Sequence, residues 1–90
     1  MPRRGSYEFS ELTKDEVYRK QRHKFPEDAI IEVDHIISVR QCIELGIPDW
    51  LCASQINAQL LTRRDNREKS DKDADPEFVD YVLSLVVRML

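Results

Sequence analysis

The C-terminal stretch constrains the fold most. Asp75 is placed as a helix N-cap, Pro76 as the first helical residue and Glu77 at the positive end of the dipole, so the pattern predicts a helix over 76–90. Phe78, Val82, Leu85, Val86 and Met89 form one stripe, and Val79, Leu83, Val87 and Leu90 carry it almost around the helix. A helix of this kind seeks burial on most of its sides. A chain of 90 residues holds one domain (1–90) with a small core. The helix must therefore complete that core or meet a partner.

Charge excludes one broad class. The 14 Lys and Arg are outnumbered by 17 Asp and Glu, for a net charge of −3, so the chain is not a generally basic nucleic-acid binder. Any contact with nucleic acid must be local. No signal peptide, membrane-spanning run, low-complexity tract or repeat is visible, so no membrane association is expected. A cytoplasmic location is expected, and a secreted toxin domain is compatible with the same residues. Cys42 and Cys52 form no Cys-x-x-Cys pair, so no structural zinc is expected. They read as small buried apolar residues, with a single disulfide as the open alternative.

Residues 1–11 read as a flexible arm carrying Arg3 and Arg4. Thr13 is the expected cap of a first helix, with Glu16 completing a capping box and Leu12 and Val17 as a hydrophobic staple. Pro26 should end that helix at His23 or Lys24. Ala29 to Asp34 is rich in Ile and Val and reads as a strand. Ser38 and Gly46 bracket a short helix, and Pro48 to Ser54 reads as a turn with Trp50 buried. Gln59 to Leu61 reads as a second strand. Thr62 then caps a helix, with Asp65 in capping-box position and Arg63, Asn66, Arg67 and Ser70 on one face. Phe25, Trp50, Phe78 and Tyr81 read as core. Arg19, Lys20, Arg22 and Lys24, with Arg3 and Arg4, make a further basic set that reads equally as a solvated face.

Two segments carry chemistry. Val33-Asp34-His35-Ile36 is followed by Asn57, then Leu61-Thr62-Arg63, then Asn66-Arg67-Glu68-Lys69-Ser70-Asp71. A carboxylate, an imidazole and two amides, with basic residues around the second amide, equip a site for metal-assisted phosphodiester cleavage. Each residue alone has a plainer role: a turn-forming Asp, a satisfied His, a loop-capping Asn, a solvated helix. The ordered set is more specific. Over 32–72 it resembles the HNH (ββα-metal) endonucleases, most closely the HNH domains of CRISPR effector nucleases and small phage-type HNH nucleases. The chain departs from many members in lacking paired cysteines.

The resemblance implies an α+β fold with a ββα-metal core over 29–72, an added N-terminal helix and the apolar C-terminal helix. It implies a DNA endonuclease of low sequence specificity that leaves 5′ phosphate and 3′ hydroxyl ends. His35 would be the general base, with activity falling below about pH 6. Asp34 and Asn66 would hold one divalent ion. Their hard oxygens suit Mg²⁺, with Mn²⁺ as substitute. Asn57 would brace the connection and orient the imidazole. Arg67 and Lys69, and less directly Arg63, would touch DNA. Asp34 and His35 would face opposite ways in a regular strand, and the family places a turn there. Two alternatives stay open: an inactive HNH-like DNA-binding module, and an interaction module that uses the 76–90 helix for a homodimer or a protein partner.

Overall fold

The computed structural model describes residues 4–70 and 72–89 of the chain. Within them lie five α-helices and one two-stranded antiparallel sheet, an α+β arrangement. Helix α1 spans Glu11–Gln21. Its cap is Ser10, not Thr13: the Ser10 hydroxyl accepts from the Thr13 backbone N–H at 3.1 Å. Both residues are competent caps, and the earlier start adds helical residues at no loss of capping. Leu12 is consequently exposed and staples nothing, while Val17 is buried. The helix gives way to a 3₁₀ turn at Arg22–Lys24, and Phe25 is extended before Pro26, as the proline dictates.

Strand β1 is Ile31–His35 and β2 is Ala58–Thr62, paired so that Asp34 opposes Gln59 and His35 opposes Ala58. The connection folds into α2 (Val39–Leu45), α3 (Asp49–Cys52) and a 3₁₀ turn at Gln55–Asn57. Ser38 caps α2, and Gly46 ends it with φ 71°, a left-handed conformation that disfavours any side chain. Helix α4 is Arg63–Lys69, capped by the Thr62 hydroxyl, which accepts from the Asp65 N–H. Helix α5 is Pro76–Arg88, and the Asp75 carboxylate accepts from the Glu77 N–H at 3.1 Å.

Two apolar clusters hold these pieces together. In the first, Ile37, Val39, Cys42, Ile47, Leu51 and Cys52 of the connection are closed by Val79 and Val82 of α5 and by Tyr7. In the second, Phe9 and Val17 lie against Ala58 and Leu60 of the sheet, with Phe25, Ile31 and Val33 at the margin. Tyr7 and Phe9 are thus core residues, and the expected flexible arm is packed from Tyr7 onward. Arg3 and the Arg4 side chain lie outside the described residues.

Two aromatic expectations are corrected. Trp50 is 54% exposed and Tyr81 is 51% exposed, whereas Phe78 and Phe25 are half-buried. A domain this small offers α5 one core surface. Only Val79 and Val82 are fully buried, with Phe78, Leu83 and Val86 beside them, and Val87 and Met89 face outward. No helix among the described residues is long and apolar enough to cross a membrane.

Candidate active site

Strand alternation decides the site. Glu32 and Asp34 project from one face of β1, and Ile31, Val33 and His35 from the other. The chain does turn after the strand, at Ile36 and Ile37, but His35 is still paired with Ala58, so the turn comes one residue too late to bring Asp34 and His35 to one face. The expectation of a shared face is corrected on this point.

On the outer face, α4 lies against the strand through Arg63, Asn66 and Lys69, spaced three apart. Of the expected face of Arg63, Asn66, Arg67 and Ser70, the first two make this contact. The Asn66 Nδ2 donates to Glu32 Oε1 at 3.1 Å, and its amide oxygen accepts no hydrogen bond among the described residues. Arg63 Nε reaches Glu32 Oε2 at 3.4 Å. The Asn66 hydrogen bond lowers the Glu32 carboxyl most; burial opposes it as the next largest effect, and the Arg63 guanidinium with the Arg67 charge leaves the group below its usual value. The Lys69 ammonium donates to the His35 carbonyl at 2.8 Å and sits 3.1 Å from Asp34 Oδ2. Gln59 Nε2 donates to the same Asp34 oxygen at 3.1 Å.

Lys69 is therefore engaged inside the protein, with its side chain only 20% exposed, and is not the free DNA contact expected of it. Arg64 pairs loosely with Glu68 at 3.6 Å. Arg67 makes no hydrogen bond or ion pair among the described residues, and its charge is felt by Glu32. Beside it, Arg63, Arg64 and Arg67 line a shallow groove of about 580 Å³ with Ala29, Ile30 and Thr62, at the end of the hairpin remote from His35.

The inner face is different in kind. The His35 ring stacks on Phe9 with centroids 4.0 Å apart and planes 17° from parallel. Its Nε2 lies 2.8 Å from the Tyr7 carbonyl oxygen. Burial pulls the imidazole pKa down most strongly. The Cys52 thiol, the Tyr7 carbonyl and the Glu8 charge together outweigh burial and leave it above its ordinary value of 6.5. Cys42 and Cys52 are free, buried thiols in contact. The hydrogen bond between them lowers Cys42 and raises Cys52.

Asn57 is almost fully buried and every polar atom of its side chain is used. Its Oδ1 accepts from the Ile37 N–H at 2.7 Å, and its Nδ2 donates to the Ile37 and Cys52 carbonyls at 3.0 Å each. Its own carbonyl accepts from Ile36 N–H at 2.9 Å. Asn57 thus braces both ends of the connection, as expected. It makes no hydrogen bond to the imidazole, whose contacts are with Tyr7, Phe9 and Cys52.

The donor set on the outer face suits a hard cation. Asp34 and Asn66 offer oxygens, and Glu32 adds a third oxygen-bearing side chain. The Lys69 ammonium already occupies a position between a carboxylate and a carbonyl oxygen, the kind of pair a divalent ion takes. Among the described residues no three His, Cys, Asp or Glu side chains gather tightly enough to hold an ion alone. Magnesium commonly binds through one or two protein oxygens and completes its shell with water and substrate phosphate.

The expected residues overlooked four participants. Glu32 was visible two residues before Asp34, on the same strand face. Gln59 follows from the register. Tyr7 and Phe9 carry no local signal. No protein-family model, curated protein or solved structure matches the chain.

Proposed function

We propose that the chain is a metal-dependent DNA endonuclease built on a ββα-metal core of β1, β2 and α4. The observation that carries this reading is the placement of the motif. Helix α4 lays Asn66 against Glu32 and Lys69 against Asp34, the latter next to His35 at the end of the strand. The phosphodiester would lie across that end of the hairpin, within reach of both faces. A carbonyl oxygen has no proton to give, so His35 Nε2 carries the hydrogen that Tyr7 accepts, and the lone pair is left on Nδ1, which would act as base once the Cys52 thiol beside the ring gives way to water. Asp34 and Asn66 would hold Mg²⁺, with Mn²⁺ as substitute. When bound, such an ion supplies charge stabilisation to the phosphate and the departing oxygen. Arg67, and Arg63 once released from Glu32, would grip flanking phosphates. Phosphate contacts position without specifying, so base preference is low.

Supercoiled plasmid tests the reading. Incubated with Mg²⁺, Mn²⁺ or EDTA, the wild type nicks in either metal and not in EDTA. His35→Ala loses a hundredfold or more of that rate, about the range of a general base. Equal nicking by His35→Ala removes His35 as base.

One observation favours a second reading, a catalytically inactive DNA-binding or interaction module. Asp34 is neutralised by Lys69, and His35 is packed under Phe9 on the opposite face. DNA binding without turnover in any metal selects that module.

A further inference from the structure

Tyr7 and Phe9 are buried in different clusters, Tyr7 with the connection and α5, Phe9 with α1 and the sheet. The short segment between them therefore spans both cores. Ser10, directly after it, caps α1, which fixes where the segment leaves the site. Along this span it touches His35 twice, at one edge and on one face. The edge contact is directional: a carbonyl oxygen 2.8 Å from Nε2 selects the imidazole tautomer with hydrogen on that nitrogen. The face contact sets the plane of the ring, which a single hydrogen bond leaves free to rotate about its axis.

We propose that Tyr7 to Phe9 is a positioning element of the site, in which the Tyr7 carbonyl fixes the His35 tautomer and the Phe9 ring fixes its plane, leaving the lone pair on Nδ1. The inference rests on the reading of His35 as general base. It assigns to the N-terminal segment an orienting role that no residue of the motif itself fills, since Asn57 spends its side chain on Ile37 and Cys52. Phe9 is a positioning residue, acting only through His35.

Substitutions at Phe9 separate positioning from simple packing. Phe9→Leu keeps an apolar group in the cluster and removes the ring. Phe9→Tyr keeps the ring. The chain has two histidines, so comparison with His35→Gln assigns the His35 imidazole in a ¹⁵N-labelled sample of the full chain. In the wild type the His35 Nε2–H should appear as a protected, slowly exchanging resonance. Phe9→Tyr should retain it. Phe9→Leu should remain folded yet lose it, and its nicking should fall about tenfold in kcat with KM unchanged, the scale of a lost orienting partner. A protected Nε2–H in folded Phe9→Leu overturns the proposal. If Phe9→Leu does not fold, Phe9→Met repeats the test with a more adaptable side chain. The resonance is read without any cleavage. A wild type that shows it, loses it in Phe9→Leu and never nicks DNA upholds the positioning and defeats the nuclease reading instead.

Discussion

The two faces of β1 are built by different physics, although their key residues are neighbours in sequence. The outer face carries Glu32 and Asp34 against Arg63, Asn66 and Lys69, and its order comes from charge. The inner face carries Val33 and His35 against Phe9 and Leu60, and its order comes from excluded water. Ion pairs near the surface are weak and screened by salt. Apolar burial is insensitive to salt and gains from close packing. Glu32 is therefore held by an exposed partner that salt can weaken, and His35 by packing that salt leaves alone.

Asn57 is the residue whose loss should break both faces at once, because it ties the end of β1 to the start of β2. Asn57→Ala strands the Ile37 N–H and two carbonyls in a buried site. We expect a loss of roughly 3 kcal/mol in urea unfolding, with lower melting temperature and no change in metal affinity among the molecules that remain folded. A variant as stable as wild type would show that water replaces the amide and that the brace is dispensable.

Packing on the inner face alone is sharpened by Val17→Ala. Val17 is 2% exposed. Removing two buried methyl groups should cost about 2 kcal/mol, equally at low and high salt. On the outer face Arg63→Met, which removes the exposed pair with Glu32, should cost about 0.5 kcal/mol, and the difference from wild type should shrink as sodium chloride is raised. Salt dependence in Val17→Ala, or its absence in Arg63→Met, would erase the contrast between the faces.

How much of this could be read beforehand depends on the range of each interaction. The caps at Ser38, Thr62 and Asp75 and the stop at Gly46 are local chemistry, and all four stand where the residues put them. Ser10 and Thr13 were both competent caps, and only the packing of Phe9 beside Ser10 separates them. Trp50 looked like core because it is large and apolar, but α3 spends its buried positions on Leu51 and Cys52. Asn57 was expected as a brace from the resemblance of the motif, with a plain loop-capping Asn as the alternative. Its exact partners depend on how that connection folds. The alternation that parts Asp34 from His35 was legible, and the expectation of a turn at that point set it aside. The contact of Tyr7 with His35 joins residues 28 apart and leaves no trace in local pattern.

Acid and base should tell the two faces apart with opposite signs, through smaller effects than any substitution above. On the outer face, Asn66 and Arg63 hold Glu32 below its ordinary value of 4.5. Its folded form therefore binds protons less readily than its unfolded form, and the stability it adds is complete above that value and lost as pH falls through the lower folded one. On the inner face His35 is shifted the other way: burial opposes its charge, but Cys52, Tyr7 and Glu8 more than compensate. A raised folded value means that its stabilisation is complete below the ordinary 6.5 and lost as pH rises through the higher folded value. Urea unfolding in EDTA should thus give a maximum between those two limits. His35→Gln should flatten the alkaline limb only, and Glu32→Gln the acid limb only. An alkaline limb that survives His35→Gln would mean that the inner face does not favour the charged ring. The imidazole would then be held as the neutral ring, by Phe9 and by its hydrogen bond to the Tyr7 carbonyl.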